Sequence, residues 1–205
     1  FDAEGNRLLD GPAGMWCMQT GYGRREIADA VAEQIMNLSY ATSFSVINNR
    51  EVQLAQRIAE QTPGDLNRIF FTTGGSTAVD SALRLCQLAS NIQSKPHRKH
   101  ILTREKAYHG STFLSASVTG KERDKSAMDT IKEGIHFLSA PCHFYHPEFA
   151  TEEAFCDFLI EELEQKILDV GADNIMCFIA EPILASGGVI VPPANYNQRC
   201  WQTVK

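Results

Sequence analysis

Residues 70–84 read Phe-Phe-Thr-Thr-Gly-Gly-Ser-Thr-Ala-Val-Asp-Ser-Ala-Leu-Arg. With Arg68 and Ile69 before it, the run to Thr72 is short, apolar and β-prone, and predicts a strand. Gly74-Gly75 then turns the chain, and Ala78–Leu88 has helical apolar spacing. A strand entering a glycine turn and a helix is the start of a β-α unit. Two glycines let backbone approach a ligand closely. The unpaired N–H groups of the first helical turn, and the helix dipole, favour an anion there. Ser76 and Thr77 add hydroxyl donors, so the segment can form a phosphate cup. Read alone, it is equally an ordinary glycine turn with a Ser/Thr N-cap. It matches neither the dinucleotide fingerprint nor the Walker pattern.

Working outward, the same alternation continues. Ile101–Arg104 and Ile135–Leu138 read as strands, and an amphipathic helix starts at Thr151 or Glu152 and runs through Phe155, Leu159, Leu163 and Ile167. Ile175–Ala180 is a continuous apolar run, the pattern of a strand buried on both faces. Strand–helix alternation predicts an α/β domain with a mainly parallel sheet. Upstream, Arg25–Leu38 carries a helical stripe at Ile27, Val31, Ile35 and Leu38. Asn48 or Asn49 can cap a second helix with Val52, Ala55, Ile58 and Ala59 facing inward, ended by Pro63-Gly64. Residues 1–14 read as turns between short strands.

Parallel sheets bind ligands outside the carboxyl ends of their strands, and two more motifs fall there. Ala107-Tyr-His-Gly-Ser-Thr112 follows the strand near Leu102; an exposed Tyr108 can stack on a flat ring, and Gly110 permits a tight turn beside it. Phe178-Ile-Ala-Glu181-Pro ends the last strand on a carboxylate, which burial makes costly unless it is paired or hydrogen-bonded. Glu181 is therefore a candidate for orienting a polar group, or one half of a structural ion pair.

The chain has 205 residues, 43% hydrophobic and 21% charged, an ordinary globular composition. A net charge of -6 argues against binding nucleic acid through a basic surface. No apolar run approaches the ~18 residues of a bilayer span. The six cysteines, Cys17, Cys86, Cys142, Cys156, Cys177 and Cys200, have wide irregular spacings and read as small buried hydrophobes of a reducing cytoplasm. Cys142, His143 and His146 sit in a proline-bounded loop without a second ligand pair at zinc spacing, so no metal is expected.

The runs Phe70–Arg84, Tyr108–Gly120 and Gly14-Met-Trp-Cys-Met-Gln-Thr-Gly-Tyr-Gly23 together resemble the class III (ω-type) pyridoxal-phosphate aminotransferases, and within them the ω-amino acid–pyruvate enzymes. The resemblance covers nearly the whole chain. It implies the fold type I architecture. Residues 1–47 would belong to the small domain and its connection, and 48–205 would form the first part of a mostly parallel, cofactor-binding large domain. It also implies a cytoplasmic homodimer with sites at the interface, acting on an amino donor and a keto acid, with no nucleic-acid or membrane partner.

By the same resemblance, Gly75, Ser76 and Thr77 would hold the phosphate of pyridoxal 5'-phosphate, although many relatives carry Glu in place of Thr77. Tyr108 would stack on the ring, with His109 and Gly110 shaping the turn and Glu181 beside the phenolic oxygen. Trp16, Tyr40 and Phe44 would line the substrate pocket, the last two across the interface. The family's ring-nitrogen aspartate and Schiff-base lysine would both follow Glu181. The chain reaches Lys205 before either, and its eight lysines match no family position for the second. It is therefore expected to be a piece of a longer subunit that begins upstream of Phe1. Two alternatives stay open: another reaction of the same cofactor, such as an aminomutase or decarboxylating transaminase, and a non-catalytic truncated phosphate-binding protein.

Overall fold

The computed structural model describes residues 1–42 and 44–205, which divide into two units, Phe1–Phe70 and Phe71–Lys205. In the first unit the expected turns form, but among the described residues no strand accompanies them. Side chains organise them instead. Asp2 accepts from the backbone N–H of Glu4 and Asn6 (3.0 and 2.8 Å), and Asp10 accepts from Gly14 N–H and the Tyr22 hydroxyl (both 2.8 Å). A single turn follows, α1 (Ala13–Trp16), with positive φ at all four residues. Helix α2 (Arg25–Leu38) has the extent its apolar stripe predicts, yet Ile27, Val31 and Ile35 stay about half exposed. Helix α3 (Asn49–Ala59) is capped by Asn48, whose side chain accepts from Glu51 N–H at 2.8 Å. Ala55, Ile58 and Ala59 are partly covered, whereas Val52, expected inside, is exposed.

The second unit carries the sheet. Helix α4 (Gly75–Ile92) begins immediately after Gly74, earlier than its apolar spacing suggested. Strands β1 (His100–Arg104), β2 (Ile135–Leu138) and β3 (Ile175–Phe178) pair in parallel in the order β2-β1-β3. Leu102 faces His136 on one side, and Ile101 faces Cys177 on the other. Helices α5 (Phe113–Val118), α6 (Glu152–Val170) and α7 (Tyr196–Val204) complete the unit. Thr151 caps α6 by accepting from Ala154 N–H at 3.1 Å.

The pleat of β1 sorts its side chains to opposite faces. Leu102 joins Leu138, Phe155, Leu159 and Leu163 of α6 and Tyr196 of α7. Ile101 joins Leu83 of α4 and Val118 of α5. Full burial of each such aliphatic side chain stabilises by roughly 1.5–3 kcal/mol. Helices thus cover both faces of a parallel sheet, the α/β arrangement the sequence predicts.

Two further expectations, both about strands, fail. Residues 68–72 form no strand, because β-propensity supplies no hydrogen-bonding neighbour, and Phe70 is largely exposed. Strand β3 is only partly buried, since in the three-stranded order it is an edge. Ile179 extends its pairing by one bond, N–H to Leu102 O at 2.9 Å.

The cysteines are mixed. Cys156 and Cys200 are buried, Cys86, Cys142 and Cys177 are intermediate, and Cys17 is exposed, so the buried reading fails at Cys17.

Candidate active site

Three chain segments meet at the carboxyl ends of β1 and β3: the first turn of α4, the loop and helix following β1, and the loop following β3. Gly74 offers no side-chain cap to α4, and the first intrahelical bond is Ala78 N–H to Gly74 O at 2.9 Å. The N–H groups of Gly75, Ser76 and Thr77 therefore point out of the helix end with its positive dipole behind them. The two hydroxyls behave differently. Thr77 donates to Gly74 O at 2.8 Å, so its proton is used inside the turn and is not offered to a ligand as the sequence suggested. Ser76 Oγ accepts from Ser111 N–H at 3.0 Å, which leaves its own proton to donate.

The β1 exit loop is tied to α4 at several points. Thr112 donates to Ser76 O (3.4 Å), and Asp80 accepts from Ser115 N–H (2.8 Å), anchoring the start of α5. Gly110 sits at φ +133°. A Cβ there would lie 2.6 Å from Ser76 Oγ and 2.9 Å from Ser76 Cα, so only glycine fits.

Tyr108 is 41% exposed, the open aromatic the sequence predicts. Its N–H donates to Glu181 Oε1 at 2.9 Å, while Glu181 Oε2 accepts from Ala185 N–H at 3.1 Å. The carboxylate thus braces both exit loops, and its requirement for partners is met by main-chain donors. Among the described residues Glu181 makes no ion pair, so the ion-pair alternative does not hold. The Lys121 ammonium lies 5.9 Å above the Tyr108 ring centroid.

His109 turns the other way, into the protein. It is 8% exposed, its N–H donates to Thr119 Oγ1 at 3.0 Å, and its Nε2 has no hydrogen-bond partner. Burial, and then the nearby Arg104 guanidinium, draw its pKa down to about 4, so the ring is neutral at pH 7. A cleft of about 310 Å³ opens beside Tyr108, lined also by Gly110, Ser111, Thr119 and Met128.

The geometry therefore brings Gly75, Ser76, Thr77, Tyr108, Gly110 and Glu181 together, with His109 behind them. Trp16, Tyr40 and Phe44 belong to the first unit. There Trp16 is about half exposed at φ +66°, Tyr40 borders a cavity of about 860 Å³ with Val46, Asn48 and Gln53, and Phe44 is almost fully exposed. Sequence reasoning missed Asp80, Ser111 and Arg104. Asp80 and Ser111 lie within the motif runs; the signal of Ser111 is a polar residue beside the turn glycine Gly110, and that of Asp80 is a carboxylate in the second turn of α4. Arg104 has a signal too, a charge directly after Ile101-Leu-Thr at the end of a β-prone run.

Around the loop after β2, His143 Nε2 lies 2.9 Å from Phe149 O and His146 Nδ1 lies 2.9 Å from Glu148. Among the described residues no group of three metal-ligating side chains forms.

Residues 1–204 match the family described as aminotransferase class-III. The chain is similar to the putrescine–pyruvate aminotransferase of Pseudomonas aeruginosa, 38% identical over 96% of this chain and 43% of that protein. It is also similar to the diaminobutyrate–2-oxoglutarate transaminase of Halomonas elongata, 32% identical over 95% of this chain and 42% of the relative. Among solved structures, an (S)-enantioselective omega-transaminase from Thermomicrobium roseum superposes with a TM-score of 0.95 at 36% identity, over all of this chain and 46% of that one. An aminotransferase from Vibrio fluvialis in its PMP-bound form gives 0.93 at 35% identity, over 99% and 45%. The chain thus spans under half the length of these relatives.

Proposed function

The chain belongs to the class-III aminotransferase family, and on that premise we propose that it is part of a transaminase moving an amino group from an ω-amino acid or amine to pyruvate or another keto acid. One observation carries the reading. The open N–H groups of α4, the half-exposed Tyr108 and the carboxylate of Glu181 are held in one cluster by the Ser111–Ser76 and Tyr108–Glu181 hydrogen bonds. That set suits a flat anionic phosphate ester.

Gly75, Ser76 and Thr77 would bind the phosphate of pyridoxal 5'-phosphate through main-chain N–H groups, with the Ser76 hydroxyl added. Tyr108 would lie against its ring, and His109, Gly110 and Glu181 would hold Tyr108 in place. When bound, the cofactor supplies a carbonyl that takes up the amino group and a ring that accepts electron density. The chain's own residues orient and shield it. The α4 turn fixes one end, Tyr108 covers one face, and neutral His109 places no charge behind the aromatic wall. Trp16, Tyr40 and Phe44 would line the donor pocket, Tyr40 and Phe44 from across a homodimer interface. Residues 1–47 would lie in the small domain, and 48–205 in the large one. A cytoplasmic location belongs to the same reading. Among the described residues no helix is long and apolar enough to cross a membrane.

The test uses the full-length protein purified with added pyridoxal phosphate. A visible absorption band, cofactor trapped on a lysine by borohydride, and alanine formed from pyruvate with putrescine or an ω-amino acid as donor are expected. Light scattering should give a dimer mass. No band and no alanine would overturn the proposal, and carbon dioxide release without alanine would favour a decarboxylating reaction.

A further inference from the structure

Arg104 is fully buried at the carboxyl end of β1, 2% exposed. Among the described residues it enters no ion pair, and its Nε has no hydrogen-bond partner. A guanidinium buried without a counter-charge is costly, and packing alone is served as well by an apolar side chain of similar volume. Its surroundings indicate what it does. One terminal nitrogen donates to the main-chain oxygen of Glu181 and the other to Asn197 Oδ1, both at 3.3 Å. Asn197 in turn donates to Pro182 O at 3.0 Å. The guanidinium is clasped between the rings of Phe178 and Tyr196, 5.4 and 4.9 Å from their centroids.

The contacts close a ring. Arg104 holds the main chain of Glu181, and the Glu181 carboxylate holds the N–H of Tyr108, four residues beyond Arg104 on the same exit loop. A fork of fixed geometry held by two aromatic faces sets an acceptor's position in a way that a flexible chain does not. We propose that Arg104 is the positioning residue of this site, holding Glu181 so that Tyr108 presents its ring at a fixed height and tilt. The proposal rests on the cofactor reading only for what Tyr108 faces; the clamp itself is independent of it.

The test follows amide hydrogen exchange at Tyr108 in the full-length protein, referred to the Leu159 amide in the core of α6 so that global stability cancels. R104M keeps the volume and removes the fork. It should speed Tyr108 exchange at least tenfold relative to Leu159 and weaken pyridoxal phosphate binding by a similar factor in titrations of the apoprotein. R104K, which can still donate to Glu181 O, should restore part of both and carries the test if R104M does not fold. E181Q should speed the same amide, and the double variant should be no faster than the faster single. Unchanged Tyr108 exchange in R104M, or in R104K where R104M does not fold, overturns the proposal, as does full additivity in the double variant. If the unmodified protein binds no pyridoxal phosphate, the functional reading fails, and the exchange measurements still decide the role of Arg104.

Discussion

Replacing Gly110 by alanine tests the packing of the β1 exit loop against α4. At φ +133° an L-residue is strained, which costs roughly 1–3 kcal/mol. The new Cβ would also sit 2.5 Å from Ser115 Oγ, 2.6 Å from Ser76 Oγ and 2.9 Å from Ser76 Cα. A hydroxyl can rotate, but Ser115 Oγ is bound to Thr112 Oγ1 at 2.8 Å, and Ser76 Cα is helix backbone that cannot. Overpacking of this kind costs about 1–3 kcal/mol more. G110A in the full-length protein should therefore lose about 2–6 kcal/mol in urea unfolding, and phosphate and pyridoxal phosphate should bind it more weakly. The S115A change removes one clash and leaves φ untouched, so G110A/S115A should regain about 1 kcal/mol and no more. A G110A protein within about 0.5 kcal/mol of wild type, with unchanged cofactor affinity, would refute the reasoning.

Other consequences are simpler to check. His109 is held near pKa 4 against an ordinary 6.5, so its neutral form stabilises the fold fully above about pH 6.5. That contribution, up to about 3 kcal/mol, is lost as pH falls from 6.5 towards 4; H109Q should flatten this window in urea midpoints measured across pH. L159A opens a cavity among Leu102, Leu138 and Leu163 and should cost about 2–5 kcal/mol without altering phosphate affinity. T151A removes the cap of α6 and should cost about 1 kcal/mol, read from the same unfolding curves.

Local chemistry in the sequence accounts for much of the fold. Helices α2 and α6 and strands β1 and β2 lie where periodicity and apolar runs place them, because those patterns encode one side chain's face relative to the next. Helices α5 and α7 were not legible. The first is six residues long and rich in serine, and the second has too few apolar positions for a clear stripe. The site divides in the same way. Ser76, Tyr108 and Glu181 stand out by their place after strands and beside glycines. The direction of a hydroxyl proton does not: the sequence offers the Thr77 hydroxyl as a donor, and the structure turns that proton onto Gly74 O while leaving the Thr77 N–H open.

What the sequence determined by itself is the α/β alternation, the glycine turn opening α4, and the residue types that can hold an anion and face a ring. Those follow from short-range rules of spacing and backbone freedom. The tertiary structure decided the rest. It joined Tyr108 to Glu181 across 73 positions and Ser76 to Ser111 across 35, and it buried Arg104 between a ring of β3, a ring of α7 and a carbonyl of the loop after β3. It also left 68–72 unpaired, since a strand exists only where another strand accepts its hydrogen bonds. Such contacts depend on how distant segments meet, and no local pattern carries that information.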